Sequence, residues 1–190
     1  MAHPFGSPIA PSLLIAVSVV MLLHAAAAAA ERDQEVPSCA GSLPATVSVS
    51  RDLHRYIGSM LARSATFRGQ CGRIARAHSL MILIRVDPAL VARSYRARTS
   101  FSRTPGGALV ARVHISLRSN PIEWIAHELE HVVEQLDGLS LPALAAGRRG
   151  VWLSAEKMFE TMRAIEAGRR VAAEMQQAAP RDRRPDIFVE

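Results

Sequence analysis

The 190-residue chain is poor in lysine and in aromatic residues. Lys157 is its only lysine, so arginine supplies nearly all the positive charge behind a net charge of +6. Aromatic residues make up only 5% of the chain, and the arginines are scattered along it. Nucleic-acid-binding proteins usually concentrate basic residues on one face, and many stack bases on aromatic side chains. The composition therefore argues against a nucleic-acid partner and leaves an anionic envelope surface as the alternative that the charge suggests.

Residues 1–30 contain no Asp, Glu, Lys or Arg. Residues 9–30 are mostly apolar and end in six consecutive alanines before Glu31. An apolar segment followed by small residues is typical of a signal peptide, which predicts an exported protein, periplasmic or secreted. An uncleaved membrane anchor is the alternative, because the apolar run is nearly long enough to span a bilayer and lacks the usual positive charge before it.

The chain has only two cysteines, Cys39 and Cys71. Two thiols can pair in an oxidising compartment, so export predicts a Cys39–Cys71 disulfide. The alternative is that Cys71 is a small buried residue. The disulfide would connect residues 31–50, which we predict to be a flexible extension, to the domain that follows.

Residues 127–131 have the sequence His-Glu-Leu-Glu-His, which matches the HExxH pattern. Residues four apart lie on one face of a helix, so His127 and His131 could bind one metal ion, with zinc expected. Glu128 directly follows the first histidine, in the position from which a general base takes a proton from water. The spacing therefore predicts a hydrolytic metal site.

The sequence around this motif predicts a helix over residues 121–136. Asn120 suits the N-cap, Pro121 suits the first helical position, and Gly138 suits the end of the helix. A solvated helix with surface histidines is the alternative interpretation. However, apolar residues cover much of this helix, so most of it should be buried. Buried imidazoles need polar partners, which favours a metal site. These residues are Ile122, Trp124, Ile125, Leu129, Val132, Val133 and Leu136.

The third metal ligand must come from another segment, because catalytic zinc normally takes three protein ligands. No histidine follows His131, so the third ligand cannot be a histidine on the C-terminal side of the motif. Residues 154–177 have the next helical pattern, and two of its acids, Glu156 and Glu160, would lie one turn apart on one face. Spacing alone does not separate these two, and both could be ordinary surface acids.

Further segments accompany the motif: Phe-Arg-Gly-Gln-Cys at residues 67–71, Glu-Gln-Leu-Asp-Gly at 134–138, Phe-Glu-Thr at 159–161 and Ala-Gly-Arg-Arg at 167–170. With these segments, about residues 65–175 resemble a family of exported bacterial proteins that have a gluzincin-like zinc metallopeptidase site. The resemblance implies that Glu160 is the third metal ligand, after His127 and His131.

The chain departs from one pattern found among gluzincins. Gluzincins with the Asn-Glu pattern have Asn before the ligand glutamate and an acid four residues after it. Glu160 instead follows Phe159 and precedes Ala164 by four residues, whereas Glu156 does have an acid four residues later. Glu156 therefore remains an alternative third ligand.

The segments before the motif predict helices and a small sheet. Residues 51–77 have helical spacing, residues 80–86 form an apolar run bounded by Asp87-Pro88, and residues 95–102 could form a second strand. Residues 109–117 alternate in polarity, which predicts a strand that forms a hairpin with the preceding one. Residues 110–118 are the candidate sheet edge for an extended peptide substrate, with a plain structural hairpin as the alternative.

The predicted fold class is α+β. We expect a minimal zincin-like domain over residues 51–178, with an N-terminal helical region, a small sheet with a β-hairpin, the HExxH helix and a C-terminal ligand-bearing helix. Residues 179–190 are predicted to be a disordered tail, because they combine prolines with several charges.

The expected function is that of an exported zinc-dependent metallopeptidase-like hydrolase. Zinc-activated water would attack an amide bond of a peptide or protein substrate, with Glu128 as general base. No partner for the oxyanion is evident, and Tyr56, Tyr95, His114 and nearby arginines are candidates. The alternative is a non-catalytic zinc-containing envelope protein with a binding or structural role.

Overall fold

The computed structural model describes Cys39 and residues 41–93, 95–118, 120–147, 150–154 and 158–178. The predicted signal peptide, the predicted tail and Glu156 lie outside these residues. Within them, no helix is long and apolar enough to cross a membrane. The elements are β1 (Val47–Val49), a 3₁₀ turn (Arg51–Leu53), α1 (His54–Arg63), α2 (Ala65–Ala75), β2 (Leu80–Val86), α3 (Ala89–Ala92), β3 (Ala97–Arg103), β4 (Leu109–Ile115), α4 (Pro121–Leu136), α5 (Leu141–Ala146), β5 (Val151–Leu153), β6 (Phe159–Thr161) and α6 (Met162–Gln177).

Strands β1 to β4 form one mixed sheet in the order β1-β2-β4-β3. β1, β2 and β4 are parallel, whereas β3 runs antiparallel to β4 and forms the predicted hairpin with it. A separate antiparallel pair joins β5 and β6. The fold is therefore α+β. The prediction that residues 31–50 form a flexible extension is wrong for Val47–Val49, because these residues form a strand that pairs with β2.

The prediction that residues 110–118 form the sheet edge is wrong. β4 is an interior strand, because β2 pairs with one side of it from Leu80↔Leu109 to Val86↔Ile115 while β3 pairs with the other. Among the described strands, β3 is instead the edge next to β4.

The hydrophobic core lies between one face of this sheet and the helices. Alternate residues of β2 and β4 point to this face, as expected for strands with one covered side. Ser64 separates α1 from α2, because its extended backbone ends the first helix and its side chain caps the second through the Phe67 amide. The largest fully buried core residues include Leu53, Met60, Phe67, Ile74, Ile82, Ile84, Ile115, Ile125 and Leu129.

The two cysteines are neighbours in the fold. Both side chains are thiols, Cys71 is buried in the core, and Cys39 lies close enough to influence it. Burial raises the pKa of the Cys71 thiol, and the adjacent Cys39 raises it further. The Cys39–Cys71 disulfide thus remains a prediction, and the two side chains that would form it lie close together.

The predicted helix over residues 154–177 is confirmed only in its C-terminal part. Ser154 and Met158 are not helical, and residues 155–157 lie outside the described residues. Phe159–Thr161 forms the strand β6, in which Glu160 pairs with Trp152 of β5. Thr161 has an extended backbone, and its hydroxyl accepts a hydrogen bond from the Ala164 amide, so α6 begins only after it. The prediction of a helix carrying Glu160 is therefore corrected: Glu160 lies on a strand.

Helix α6 packs closely against α4 at Gly168. A Cβ added there would lie 2.8 Å from the carbonyl oxygen of Glu123 and 3.2 Å from Cβ of His127. The first of these distances is shorter than a van der Waals contact, and its partner is backbone that cannot turn aside. Glycine is therefore needed for α6 to approach the helix that carries the HExxH motif.

We expect Gly168→Ala to destabilise the protein by about 1–3 kcal/mol, because overpacking forces the two helices apart. This cost exceeds the gain of up to about 1 kcal/mol that alanine gives in a helix. Gly58→Ala and Gly69→Ala are matched controls, since an added Cβ at either position meets no atom within 4 Å. Both controls should stabilise the protein by about 0.5–1 kcal/mol. Urea denaturation followed by circular dichroism measures all three, and a Gly168→Ala protein as stable as wild type would contradict the packing argument.

Candidate metal centre

Three predicted ligands, His127 and His131 of α4 and Glu160 of β6, come together in the structure. Their ligand atoms all lie within 4.8 Å of one another, so the group could hold a metal ion. Nε2 of His127 lies 3.1 Å from Oε2 of Glu160. Donor atoms that share one metal ion at about 2.1 Å in tetrahedral geometry lie roughly 3.4 Å apart. The cluster is therefore close to the dimensions of a metal site.

The side chain of His127 supports this interpretation. The residue is only 2% exposed. Its Nε2 lies 3.1 Å from Oε2 of Glu160 and has no hydrogen-bond partner among the described residues. A buried polar atom without a hydrogen bond is costly. Two imidazole nitrogens and one carboxylate oxygen are a common metal-ligand set, so these side chains fit a metal ion.

Glu134 orients the second histidine. Nδ1 of His131 donates a hydrogen bond to Oε2 of Glu134 at 2.8 Å, and the hydroxyl of Thr161 donates to Oε1 at 2.6 Å. Glu134 is only 1% exposed. Because Nδ1 carries the proton, Nε2 of His131 is left to bind a metal. The chain of hydrogen bonds thus connects the start of α6 to the HExxH motif.

Carboxylates and imidazoles influence one another across the cluster. Burial lowers the pKa of His131, but the hydrogen bond to Glu134 and the charges of Glu128 and Glu160 outweigh burial and raise this pKa overall. Burial likewise opposes ionisation of Glu160, yet contact with His127 and the charge of His131 lower the Glu160 pKa below its usual range. Negative charge beside two imidazoles favours a bound cation.

Glu128 is the acid of α4 that faces the cavity beside the cluster. Glu130 is instead engaged by Nε of Arg163 at 2.6 Å and by Nε2 of Gln70 at 2.7 Å. Glu134 is engaged by the histidine that it orients. Glu128 is 5% exposed, and burial raises the pKa of its carboxyl, while the two histidines of the motif oppose that rise. Its carboxyl therefore lies beside the cluster, at the position for which the sequence predicts a general base.

A cavity of about 610 Å³ opens on Glu128, His131 and Glu160. Edge strand β3 and residues 138–142 both contribute to its lining. Most of the lining is apolar, with side chains that include Phe101, Leu139, Leu141, Pro142, Met158 and Phe159. The volume and lining are typical of ligand-binding clefts.

The other candidates from the sequence lie elsewhere. Tyr56, Tyr95 and His114 do not line this cavity, whereas Arg98 does. Tyr56 borders a second cavity, and His114 lies 3.2 Å from Asp87. Among the described residues, Arg98 is therefore the oxyanion candidate from the sequence that lines the cavity.

Sequence reasoning missed the positioning roles of Glu134, Thr161 and Gly168. Glu134 follows His131 by three residues and so shares its helix face, which is a signal that the sequence does contain. Thr161 and Gly168 act through contacts between α6 and α4, and such contacts between separate segments leave no local pattern.

Comparison of the chain with protein-family models, with curated proteins and with solved structures gives no match.

Proposed function

We propose that the protein is an exported zinc-dependent hydrolase of the metallopeptidase type, with a minimal zincin-like domain. The observation that carries the proposal is the convergence of His127, His131 and Glu160 within 4.8 Å of one another, beside Glu128 and a cavity. Zinc suits a set of two imidazoles and one carboxylate, which leaves a position open for reaction. The HExxH motif within a buried helix further supports this function.

In the proposed reaction, His127, His131 and Glu160 would hold the metal. When bound, zinc supplies Lewis acidity and lowers the pKa of a nearby water. Glu128 takes a proton from the attacking water, whose oxygen bonds to the carbonyl carbon of an amide. Glu128 then passes the proton to the amide nitrogen as the C–N bond breaks, which releases an acid and an amine. Glu134 holds His131 in the correct orientation throughout.

The proposed substrate is an extended peptide that adds to β3. This strand has its hydrogen-bonded partner on one side only among the described strands, and Thr99 and Phe101 along it line the cavity. Backbone groups of an edge strand can pair with a peptide, while pockets alongside accept its side chains. The apolar cavity wall favours apolar side chains near the bond that is cleaved.

A non-catalytic zinc protein is the second candidate. The observation in its favour is that the described cavity lining contains no tyrosine and no histidine other than His131 that could stabilise an oxyanion. Arg98 is the group that the catalytic proposal would use for this role.

Metal content tests the site directly. We expect elemental mass spectrometry to find about one zinc per wild-type chain, by analogy with single-ion HExxH sites. His127→Ala, His131→Ala and Glu160→Ala should each lose most of it, because two ligands hold zinc weakly. Glu166→Ala is the control, since Glu166 is exposed on α6. Loss of zinc in Glu156→Ala instead of Glu160→Ala would move the third ligand, and folded wild type that takes up no supplied zinc would refute the proposal.

A further inference from the structure

The sheet has a second face, turned away from the helices. Leu80, Ile82 and Ile84 of β2, together with Ala111, Val113 and Ile115 of β4, belong to the main core. The residues between them point to the opposite side, because successive side chains of a strand alternate. We call this side the outer face; it consists of Ser48, Met81, Leu83, Arg85, Ser100, Ser102, Val110, Arg112 and His114. Arg98 has the register of this face, but it lies on the edge strand and lines the cavity beside the metal cluster.

Strand register arranges the outer face in rows, since paired residues share a face. Arg85, His114 and Arg98 form one row across β2, β4 and β3. Leu83, Arg112 and Ser100 form the next row, and Met81, Val110 and Ser102 form the third. Cationic side chains therefore collect toward one end of the face and apolar side chains toward the other, about 13 Å away at roughly 3.3 Å per residue.

The outer face has a strong positive bias. Strands β1 to β4 contain no Asp or Glu. Two arginines, Arg85 and Arg112, lie on the outer face, and both are exposed. The nearest described acid is Asp87, just beyond β2, and it is in contact with His114. The charge of the face therefore complements an anionic partner.

The same face also presents apolar surface. Met81 is 49% exposed, and Leu83 beside Arg112 is partly exposed, whereas Val110 is buried and does not contribute to this surface. An acidic polymer would contact only the arginines. An anionic bilayer offers phosphates to the arginines and an apolar phase to Met81, both within a few ångströms of its surface.

We propose that the outer face docks on an anionic phospholipid bilayer, with Arg85 and Arg112 at the lipid phosphates and Met81 in the acyl boundary. This orientation leaves the helices, and the opposite side of the sheet, facing away from the membrane. The inference rests on the sheet alone and does not depend on the metal site.

Hydroxyl-radical footprinting of the full chain tests this docking through methionine oxidation. Met81 reports on the outer face, and Met162, which is 44% exposed at the start of α6, is the internal reference. We expect vesicles of phosphatidylcholine with phosphatidylglycerol to slow Met81 oxidation at least about threefold and to leave Met162 unchanged, because the bilayer covers Met81. Vesicles of phosphatidylcholine alone should protect neither residue.

Charge reversal supplies matched variants. Arg85→Glu with Arg112→Glu should remove the protection of Met81, whereas Arg63→Glu with Arg169→Glu changes net charge equally on exposed helix positions and should preserve it. Circular dichroism checks that both variants fold. Three outcomes would overturn the proposal: Met81 oxidised equally with and without anionic vesicles, equal loss of protection in both double variants, or protection by poly-glutamate but not by vesicles. The last would assign the face to an acidic polypeptide.

Discussion

Glu128→Gln is expected to lower peptide hydrolysis by about a hundredfold to ten-thousandfold, the range for loss of a general base. The amide of glutamine has nearly the shape of the carboxylate but cannot take the proton. Zinc content should stay at the wild-type level, because Glu128 is not one of the three clustered ligands. Cleavage of a diverse peptide mixture, read by mass spectrometry, measures the activity.

The control for this variant is Glu123→Gln, which removes a charge from the same helix away from the cavity lining. It should keep full activity. Cleavage that persists undiminished in Glu128→Gln would assign the reaction to another base. Wild-type protein that binds zinc and cleaves no peptide in the mixture would favour the non-catalytic alternative.

Glu134→Ala is expected to weaken zinc binding by about tenfold to a hundredfold, although Glu134 does not touch the metal. Without this carboxylate, Nδ1 of His131 loses its acceptor, and the ring is no longer held with Nε2 toward the metal. The hydroxyl of Thr161 also loses its hydrogen-bond acceptor, although it still accepts from the Ala164 amide. Each unsatisfied buried group costs about 1–3 kcal/mol, so the free energy of unfolding should fall as well.

Competition with a chromogenic chelator measures the zinc affinity, and urea denaturation measures the stability. Glu166 provides the control because it is exposed, so Glu166→Ala removes a carboxylate without leaving a buried group unpaired. Thr161→Ser retains the hydroxyl and should retain most of the affinity. Unchanged affinity in a folded Glu134→Ala protein would show that packing alone orients His131.

Helix α4 was predictable because its determinants are local. Asn120, Pro121 and the apolar periodicity indicate its start and its buried face, and the structure has the helix at Pro121–Leu136 as predicted. The spacing of His127 and His131 follows from helix geometry alone. This part of the site could therefore be inferred before any tertiary contact was known.

The surroundings of Glu160 could not be inferred in this way. Its segment contains acids at helical spacing, yet pairing with β5 makes residues 159–161 a strand. A three-residue strand has too few positions to show an alternating pattern. The resemblance, not the periodicity, singled out Glu160 among the acids.

The position of β4 within the sheet also could not be inferred from the sequence. Alternation indicates which side chains of residues 109–117 share a face, but it does not identify the neighbouring strands. β2 and β4 are parallel partners even though β3 lies between them in the chain. Such pairing depends on the packing of the whole sheet.

Among the described strands, β3 has one free edge, and this edge also bears on self-association. Unpaired backbone groups along an edge can join two copies of a chain as readily as they can join a peptide, and this is a common start of aggregation. β3 contains Arg98 and Arg103 and no acid, so two copies that approach edge to edge present like charges to each other. An uncharged or acidic peptide meets no such repulsion. The arginines of β3 thus discourage pairing between copies while leaving the edge open to a different chain.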